Sequence, residues 1–528
     1  MKTIFFTIAL VCASCVQYHP KKVETPEVTS WKNKEEVVAT GPPCPEKWWE
    51  IFQDPQLNEL EETAMRQSPT IQAAIAQLKN AQAVYGEVRA DQFPSADLFM
   101  MAQRQRIAKS TAGQLGAVSA GQATSTSGSS NLSFTPKDLA APPSPPCPPS
   151  PPTTGPVEPT ASESVAPAAA GTAAAAVPSA AQTQIPLHFS FFQITPEISY
   201  EVDLWGKYWS ASKSALMQAK GANEDLAATR LFLAANVAAT YFQLCNYDAN
   251  IDVTQKAIIS RTHEVELNQK RAEFGVATNV ELREAQVVLR GAESDLEDLK
   301  RSRNLTEDAL AALVGMPASI FQVKTNGIIP KAPPIPAGLP SALLQKRPDI
   351  RRLEYLIESA RLDVGVAKTA FFPAVMLYAN AGFESNAIHS LFKWQNHVWQ
   401  LTGTLLQNLY DAGKRSSAVK AAKAKYKQSV ANFLQNVMTA YQEVEDALYS
   451  IEAAKKRHAI REKELFESDD LYKLSSLRFK NGVENYFIVI TAEQTYLQSA
   501  QAANDDALQA VTATVQLIRA LGGSWQDT

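Results

Sequence analysis

The chain has 528 residues, enough for several domains or one elongated one, with 45% hydrophobic and 20% charged residues. A formal net charge of −4 and a pI of about 6.0 give no global basic field, which argues against a nucleic-acid partner. Apart from Cys12 and Cys15 in the leader, the cysteines Cys44, Cys147 and Cys245 are odd in number and widely spaced with no CxxC among them, and the six histidines lack metal-ligand spacing, which argues against a metal centre or redox motif. No nucleophile elbow or phosphate loop is present, so an enzyme is disfavoured.

The chain opens on "MKTIFFTIALVCASC": Lys2, an apolar run, then Ala13 and Ser14 directly before Cys15. This is the outline of a secretory signal peptide, expected over 1–14. Small residues directly before a cysteine resemble a bacterial lipobox, although position −3 is Cys12 where an aliphatic residue is usual. Cys15 is therefore expected to carry a covalent lipid, the only non-protein group expected; the alternative is an ordinary cleaved signal with Cys15 a bystander. Val16 stands where an inner-membrane retention signal has aspartate, which favours outer-membrane sorting. No later apolar stretch reaches 18 residues, so no transmembrane helix is expected.

Ser68 before Pro69 reads as an N-cap followed by a proline at the first helical position. "SADLFMMAQRQ" and "PLHFSFFQITPEISYEV" then read as strands. Between them, residues 110–183 form a low-complexity tract with only four charges, and 14 of the 31 prolines fall between Pro136 and Pro186. Such a composition cannot bury a core. From 207 to 274 no proline occurs and helix formers dominate, so a helix of about 100 Å is expected. Gly275 breaks it, and a second helix runs to Gly315.

The second half repeats the first. A shift of 207 superposes Gly206, Lys207, Arg271, Gly275 and Gly315 on Gly413, Lys414, Arg478, Gly482 and Gly522; a shift of 279 superposes Pro69, Gly86 and Phe93 on Pro348, Gly365 and Phe372. The difference between the shifts equals the length of the low-complexity tract to within two residues, so the tract is an insertion into one repeat. In the second repeat, "PAVMLYANAGFES" and "VWQLTGTLLQNL" alternate with period two, which argues for strands with two environments. Four strands per chain are too few for a closed membrane barrel, so several chains must share one. Trp205, Trp209, Trp394 and Trp399 stand near strand ends, where an aromatic girdle belongs. Charged residues along the long helices read as a solvated face.

"WWEIFQDPQLNEL" at 48, "YEVDLWGKYW" at 200, "AANVAATYFQL" at 234, "LPSALLQKRPDIRRLEYLIESARLDVGVAKTAFFPAVML" at 339, "RFKNGVENYFIVITAEQTYLQSAQ" at 478 and "ALGGSWQ" near the end resemble the TolC-type outer-membrane efflux proteins, in their lipoprotein branch. The resemblance implies an α+β membrane protein: a homotrimer whose twelve strands form one β-barrel, continued by a coiled-coil periplasmic tunnel. Residues 15–47 would be a lipid-anchored segment, 48–330 the first repeat, 331–340 a proline-rich linker and 341–523 the second repeat. Residues 110–183 would be an enlarged extracellular loop. Outer-membrane lipids, a periplasmic adaptor and an inner-membrane transporter are the implied partners, in an exit duct for small molecules. The alternatives are a duct for protein secretion and, in a different class, a trimeric coiled-coil surface protein.

The tunnel tips would be the turns at Gly275 and Gly482, with Arg271, Val276, Arg478 and Val483 as adaptor contacts. The gate would be Phe487 and Thr491, four residues apart on one helix face, with Glu484 on the same side. The family carries an aspartate where this chain has Thr491, so Glu281 is expected to supply the acidic ring instead.

Overall fold

The computed structural model describes residues 18, 20, 47–106, 188–275, 278–333 and 346–523. Cys15, Val276 and the 110–183 tract lie outside the described residues. In chain order come a 3-10 turn Trp48–Phe52, α1 Pro55–Gln67, α2 Pro69–Ala90, β1 Ser95–Arg106, β2 His188–Val202, α3 Lys207–Glu273 and α4 Asn279–Val314. Then follow α5 Pro348–Thr369, β3 Ala374–Ser385, β4 His397–Leu406, α6 Lys414–Lys480 and α7 Tyr486–Ala520. α3 and α6 are each 67 residues, uninterrupted, and start 207 positions apart. α2 and α5 share one length at an offset of 279, as do β1 and β3. The strands form one four-stranded sheet in the order β1-β2-β3-β4.

Glycine sets the start of each long helix. Gly206 and Gly413 take φ of +73° and +87°, a region that L side chains rarely adopt. Lacking a side chain, neither can cap its helix, and a nearby aspartate does so. Asp203 accepts from the backbone N–H of Lys207 and Trp209 at 2.6 and 2.8 Å; Asp411 accepts from those of Gly413 and Arg415 at 3.1 and 3.0 Å. These carboxylates also meet the positive end of the helix dipole.

Ser68 corrects one expectation. It precedes Pro69 at the start of α2, yet its hydroxyl makes no cap hydrogen bond. Its backbone N–H closes α1 on the Ala64 carbonyl while its own carbonyl accepts from Gln72 N–H. A residue shared by two helices is turned inward, and its buried Oγ is left unpaired.

The chain divides into two compact units. The first comprises Met1–Ser95, Ile198–Tyr378 and Leu401–Thr528. There α3 packs on α2, α4, α5 and α7, and α6 packs on α5 and α7. Trp48, Phe52, Tyr241, Phe242, Leu310, Val437, Leu448 and Leu517 share its main core. Asp54 accepts from Tyr241 Oη at 2.7 Å while capping α1, which ties the Trp-rich N-terminal block to α3. Burial pushes the neighbouring Cys245 thiol up to about 12, so it is inert. Arg347 clamps three elements: it holds Asp349 through two nitrogens at 3.0 and 2.6 Å, Glu443 of α6 at 2.8 Å and the Ala520 carbonyl of α7 at 2.9 Å.

The second unit comprises Ala96–Glu197 and Ala379–Gln400. Pro196 removes a ladder donor from β2, an interior strand. Beside it, β3 comes so near that a Cβ on Gly382 would stand 2.8 Å from both Cα and Cγ2 of Thr195, and nearer still to the Ile194 carbonyl oxygen. In the β3–β4 connection, Ser390 bonds the hydroxyl of Ser385 at 2.7 Å and its carbonyl accepts from Asn396 at 2.7 Å.

Burial along the strands does not follow the period-two alternation. β1 is exposed at almost every position and β4 at most. The apolar set of β4 (Trp399, Leu401, Leu405) is 68–73% exposed. Both faces of the sheet are open in one chain, so alternation here distinguishes two outer environments rather than core from water.

Candidate functional site at the helix tips

The turn between α3 and α4 and the turn between α6 and α7 are built alike. Gly275 and Gly482 have φ of +71° and +75°, and a Cβ on either would meet nothing within 4 Å. Conformation alone therefore demands glycine there. Thr278 caps α4 by accepting from Glu281 N–H at 3.4 Å, and Asn485 caps α7 by accepting from Phe487 N–H at 3.2 Å. A small core of Ala285, Phe479, Tyr486, Val489 and Ile490 binds the pairs together.

Two of the expected adaptor contacts are engaged within the tip. The Arg271 guanidinium lies 4.5 Å above the Phe479 ring, and Arg478 pairs with Glu484 at 3.0 Å. Val483 stays exposed, as does Phe274, an apolar residue just before the tip glycine that the sequence reading passed over.

The structure brings Phe487 and Thr491 together. Thr491 Oγ1 donates to the Phe487 carbonyl at 2.9 Å, and both line a groove of about 630 Å³ between α4 and α7. The Phe487 ring is 62% exposed. The two expected acids are elsewhere. Glu484 precedes the Asn485 cap, so it lies in the turn on Arg478 and not on the Phe487 face. Glu281 is half-buried, and the acidic side chain on the groove wall is Glu284, beside Val280, Arg283 and Val287. Three residues advance a helix by most of a turn, so a position guessed without the helical phase falls beside the wall.

The charges next to this groove are not all a solvated face. Arg261 of α3 donates to Glu493 of α7 at 2.9 Å, with both side chains under a tenth exposed, and to the Val288 carbonyl at 3.2 Å. Glu264 accepts from Tyr486 Oη at 3.1 Å and Tyr472 Oη at 3.4 Å. Burial, reinforced by the Glu493 charge, raises the Glu264 carboxyl to about 7. Burial raises Glu493 as well, against the opposing pull of Arg261. Nothing in the helical spacing of these residues separates them from exposed neighbours; only the pairing of α3 with α7 does.

The tryptophans divide. Trp205 is committed to the fold: its indole N–H donates to the Pro373 carbonyl at 2.7 Å and its ring stacks on Phe372 at 4.9 Å. Trp209 is exposed with Lys213 above it, and Trp394 and Trp399 are exposed, the former stacked on His397. Among the described residues no group of side chains could hold a metal, and no helix is long and apolar enough to cross a membrane.

A four-stranded sheet open on both faces, in one chain with helices of 67 residues, fits a barrel shared between chains, the class to which outer-membrane channels belong. Comparison gives the family. Residues 188–316 and 339–523 match the model described as "Outer membrane efflux protein", and the chain belongs to that family. It is 28% identical over 330 residues to outer membrane protein OprJ of Pseudomonas aeruginosa, spanning 62% of this chain and 69% of that protein. It is 24% identical over 482 residues to the pyoverdine export outer membrane protein OpmQ of Pseudomonas putida, spanning 91% and 88%. Among solved structures, the Campylobacter jejuni CmeC outer membrane channel superposes with a TM-score of 0.77 at 20% identity, covering 96% of this chain and 94% of that one. The chain is thus an efflux channel of the outer membrane, with its helices on the periplasmic side.

Proposed function

We propose that three copies assemble into one channel, the passive exit duct of a tripartite pump for small molecules. The observation that carries this is the sheet. Its outer strands β1 and β4 end in open edges, and the alternating apolar stripe of β4 is exposed. In lipid, edge groups must find partners, and four strands cannot close. Twelve strands from three copies do close, with the two sequence repeats of each chain alternating around the ring. Lipid on Cys15 adds an anchor. A periplasmic adaptor docks on the tips around Phe274 and Val483, and an inner-membrane transporter supplies the energy. Phe487, exposed on the groove, forms the constriction, with Glu284 as the nearest acid.

Names among the relatives, such as the toluene efflux pump protein TtgC of Pseudomonas putida, favour apolar small molecules as cargo. The test is complementation of a strain that lacks its own outer-membrane duct. Lowered toluene and antibiotic susceptibility, with an SDS-resistant trimer, is the expected result. A correctly assembled protein that leaves susceptibility unchanged beside its cognate adaptor and transporter would refute the efflux role.

A further inference from the structure

We propose that the first four turns of α6 form a basic collar that binds the phosphate headgroups of anionic phospholipid in the leaflet adjoining the barrel. The proposal rests on the outer-membrane reading above and assigns a surface and a headgroup chemistry to its lipid partner.

Lys414, Lys420, Lys423, Lys425 and Lys427 are all exposed and form no ion pair among the described residues. Arg415 is held by Asp411 at 2.6 Å, and no acidic residue follows in the chain until Glu443. On α5, Glu358 is taken by Arg361 at 2.6 Å and Asp363 accepts from the Ser214 hydroxyl of α3 at 2.7 Å, while Lys368 adds a further cation. Lys368 is itself crowded, its pKa lowered by burial and then by Lys423.

The chain entering this helix has the order of a membrane boundary. Leu405, Leu406, Leu409 and Tyr410 are 64–90% exposed, and the lysines follow within a few residues. Apolar, then tyrosine, then lysine matches hydrocarbon, interface and headgroup.

Tyr18 supplies an independent marker. Its carbonyl accepts from Arg361 at 3.0 Å, its ring meets Tyr426 edge-on at 5.4 Å, and Lys368 lies 5.3 Å from its centre. Tyr426 lies within the lysine run. Cys15 is three residues from Tyr18, a reach of about 10 Å at most. An acylated Cys15 therefore brings lipid to the collar itself. Residues 414–427 rise about 20 Å. Headgroups occupy roughly 5–8 Å beyond the hydrocarbon, and charge is felt for about 8 Å more, so most of the run lies in their range.

The experiment uses purified full-length protein, stripped of lipid and titrated with phosphatidylglycerol or phosphatidylcholine, with retained lipid read by native mass spectrometry. The native protein should prefer phosphatidylglycerol by roughly tenfold or more, and the K420Q/K423Q/K425Q/K427Q variant should lose that preference. K300Q/R301Q, on α4, should keep it. Equal preference in the native protein and the quadruple variant overturns the proposal. So does displacement of the lipid by soluble glycerol phosphate, which would mark a site for free anions. A variant with unchanged lipid retention but a pore shifted toward cations would place the lysines on the lumen and overturn it too. Drug susceptibility, measured on the same variants, reports separately on the efflux role.

Discussion

Gly382→Ala tests whether the strands are as closely fitted as they look. The added methyl would stand 2.8 Å from Thr195 Cα and Cγ2, against an ordinary separation of about 3.5–4.0 Å. Strands β2 and β3 must then part by roughly 0.7 Å or more. Pro196 has already removed one donor next to this point, so the ladder has little left to lose. A shift of that size weakens or breaks one or two bonds worth about 1 kcal/mol each in water, and overpacking adds roughly 1–3 kcal/mol. A loss of about 2–5 kcal/mol is therefore expected, more where lipid surrounds the strands. Gly403→Ala is the matched control, because its Cβ would meet only Leu377 Cδ2 at an easy 3.7 Å. The assay is the temperature at which the assembled protein loses its SDS-resistant mobility. Gly382→Ala should lower it by many degrees or abolish assembly, and Gly403→Ala should leave it almost unchanged. Equal behaviour of the two would refute the close-approach argument.

Glu264 takes up its proton near pH 7 when folded and near the ordinary 4.5 when unfolded, so the folded state binds more protons between those values and stability falls as pH rises through that window. Glu264 alone should account for about 3 kcal/mol of this loss, which Glu264→Gln should lack while keeping the shares of Glu493 and Glu61, as read by denaturation of the detergent-solubilised protein across pH 4–8. Glu61 is fully buried with both carboxylate oxygens unpaired, and burial holds its pKa well above the usual range; Glu61→Leu should therefore stabilise the protein at pH 8 by roughly 1–3 kcal/mol, and a lower melting temperature would contradict this. Phe487→Ala should raise the resting single-channel conductance, whereas Glu284→Gln should chiefly alter ion preference; an assembled Phe487→Ala protein with native conductance would show that the ring does not constrict the pore. Intact mass of the mature N-terminus should reveal acyl chains on Cys15, and an unmodified terminus there would remove the anchor.

The framework was legible because periodicity survives in local sequence. The matching 67-residue helices followed from two proline-free runs bounded by glycines at a fixed shift, and β3 and β4 from period-two alternation. Rotational detail was not legible. Glu484 looked like a helix residue because the pattern "VENYFIVITAEQ" runs on without a break, but Asn485 takes the capping role and leaves Glu484 in the turn. Glu284 rather than Glu281 faces the groove because α4 starts at Asn279, which fixes the phase. The Arg261–Glu493 pair was invisible because its burial depends on which helix lies alongside α3, a property of the tertiary packing. Ser68 carried a capping signature that was overridden when two helices claimed the same residue.

The glycines at the ends of α3 and α6 have a mechanical consequence. Each helix is a rod of about 100 Å without an internal proline, mounted at its first residue on a left-handed glycine and finished at the tip by another. A rod of that length magnifies small rotations: turning by about 3° carries one end roughly 5 Å relative to the other, comparable to the width of a phenyl ring. Dilating the mouth of such a channel therefore requires neither a broken helix nor a melted turn. It needs only a few degrees of tilt, and because the main core holds each helix near its middle, at Tyr241 of α3 and Leu448 of α6, that tilt is felt in the half of the rod beyond the core.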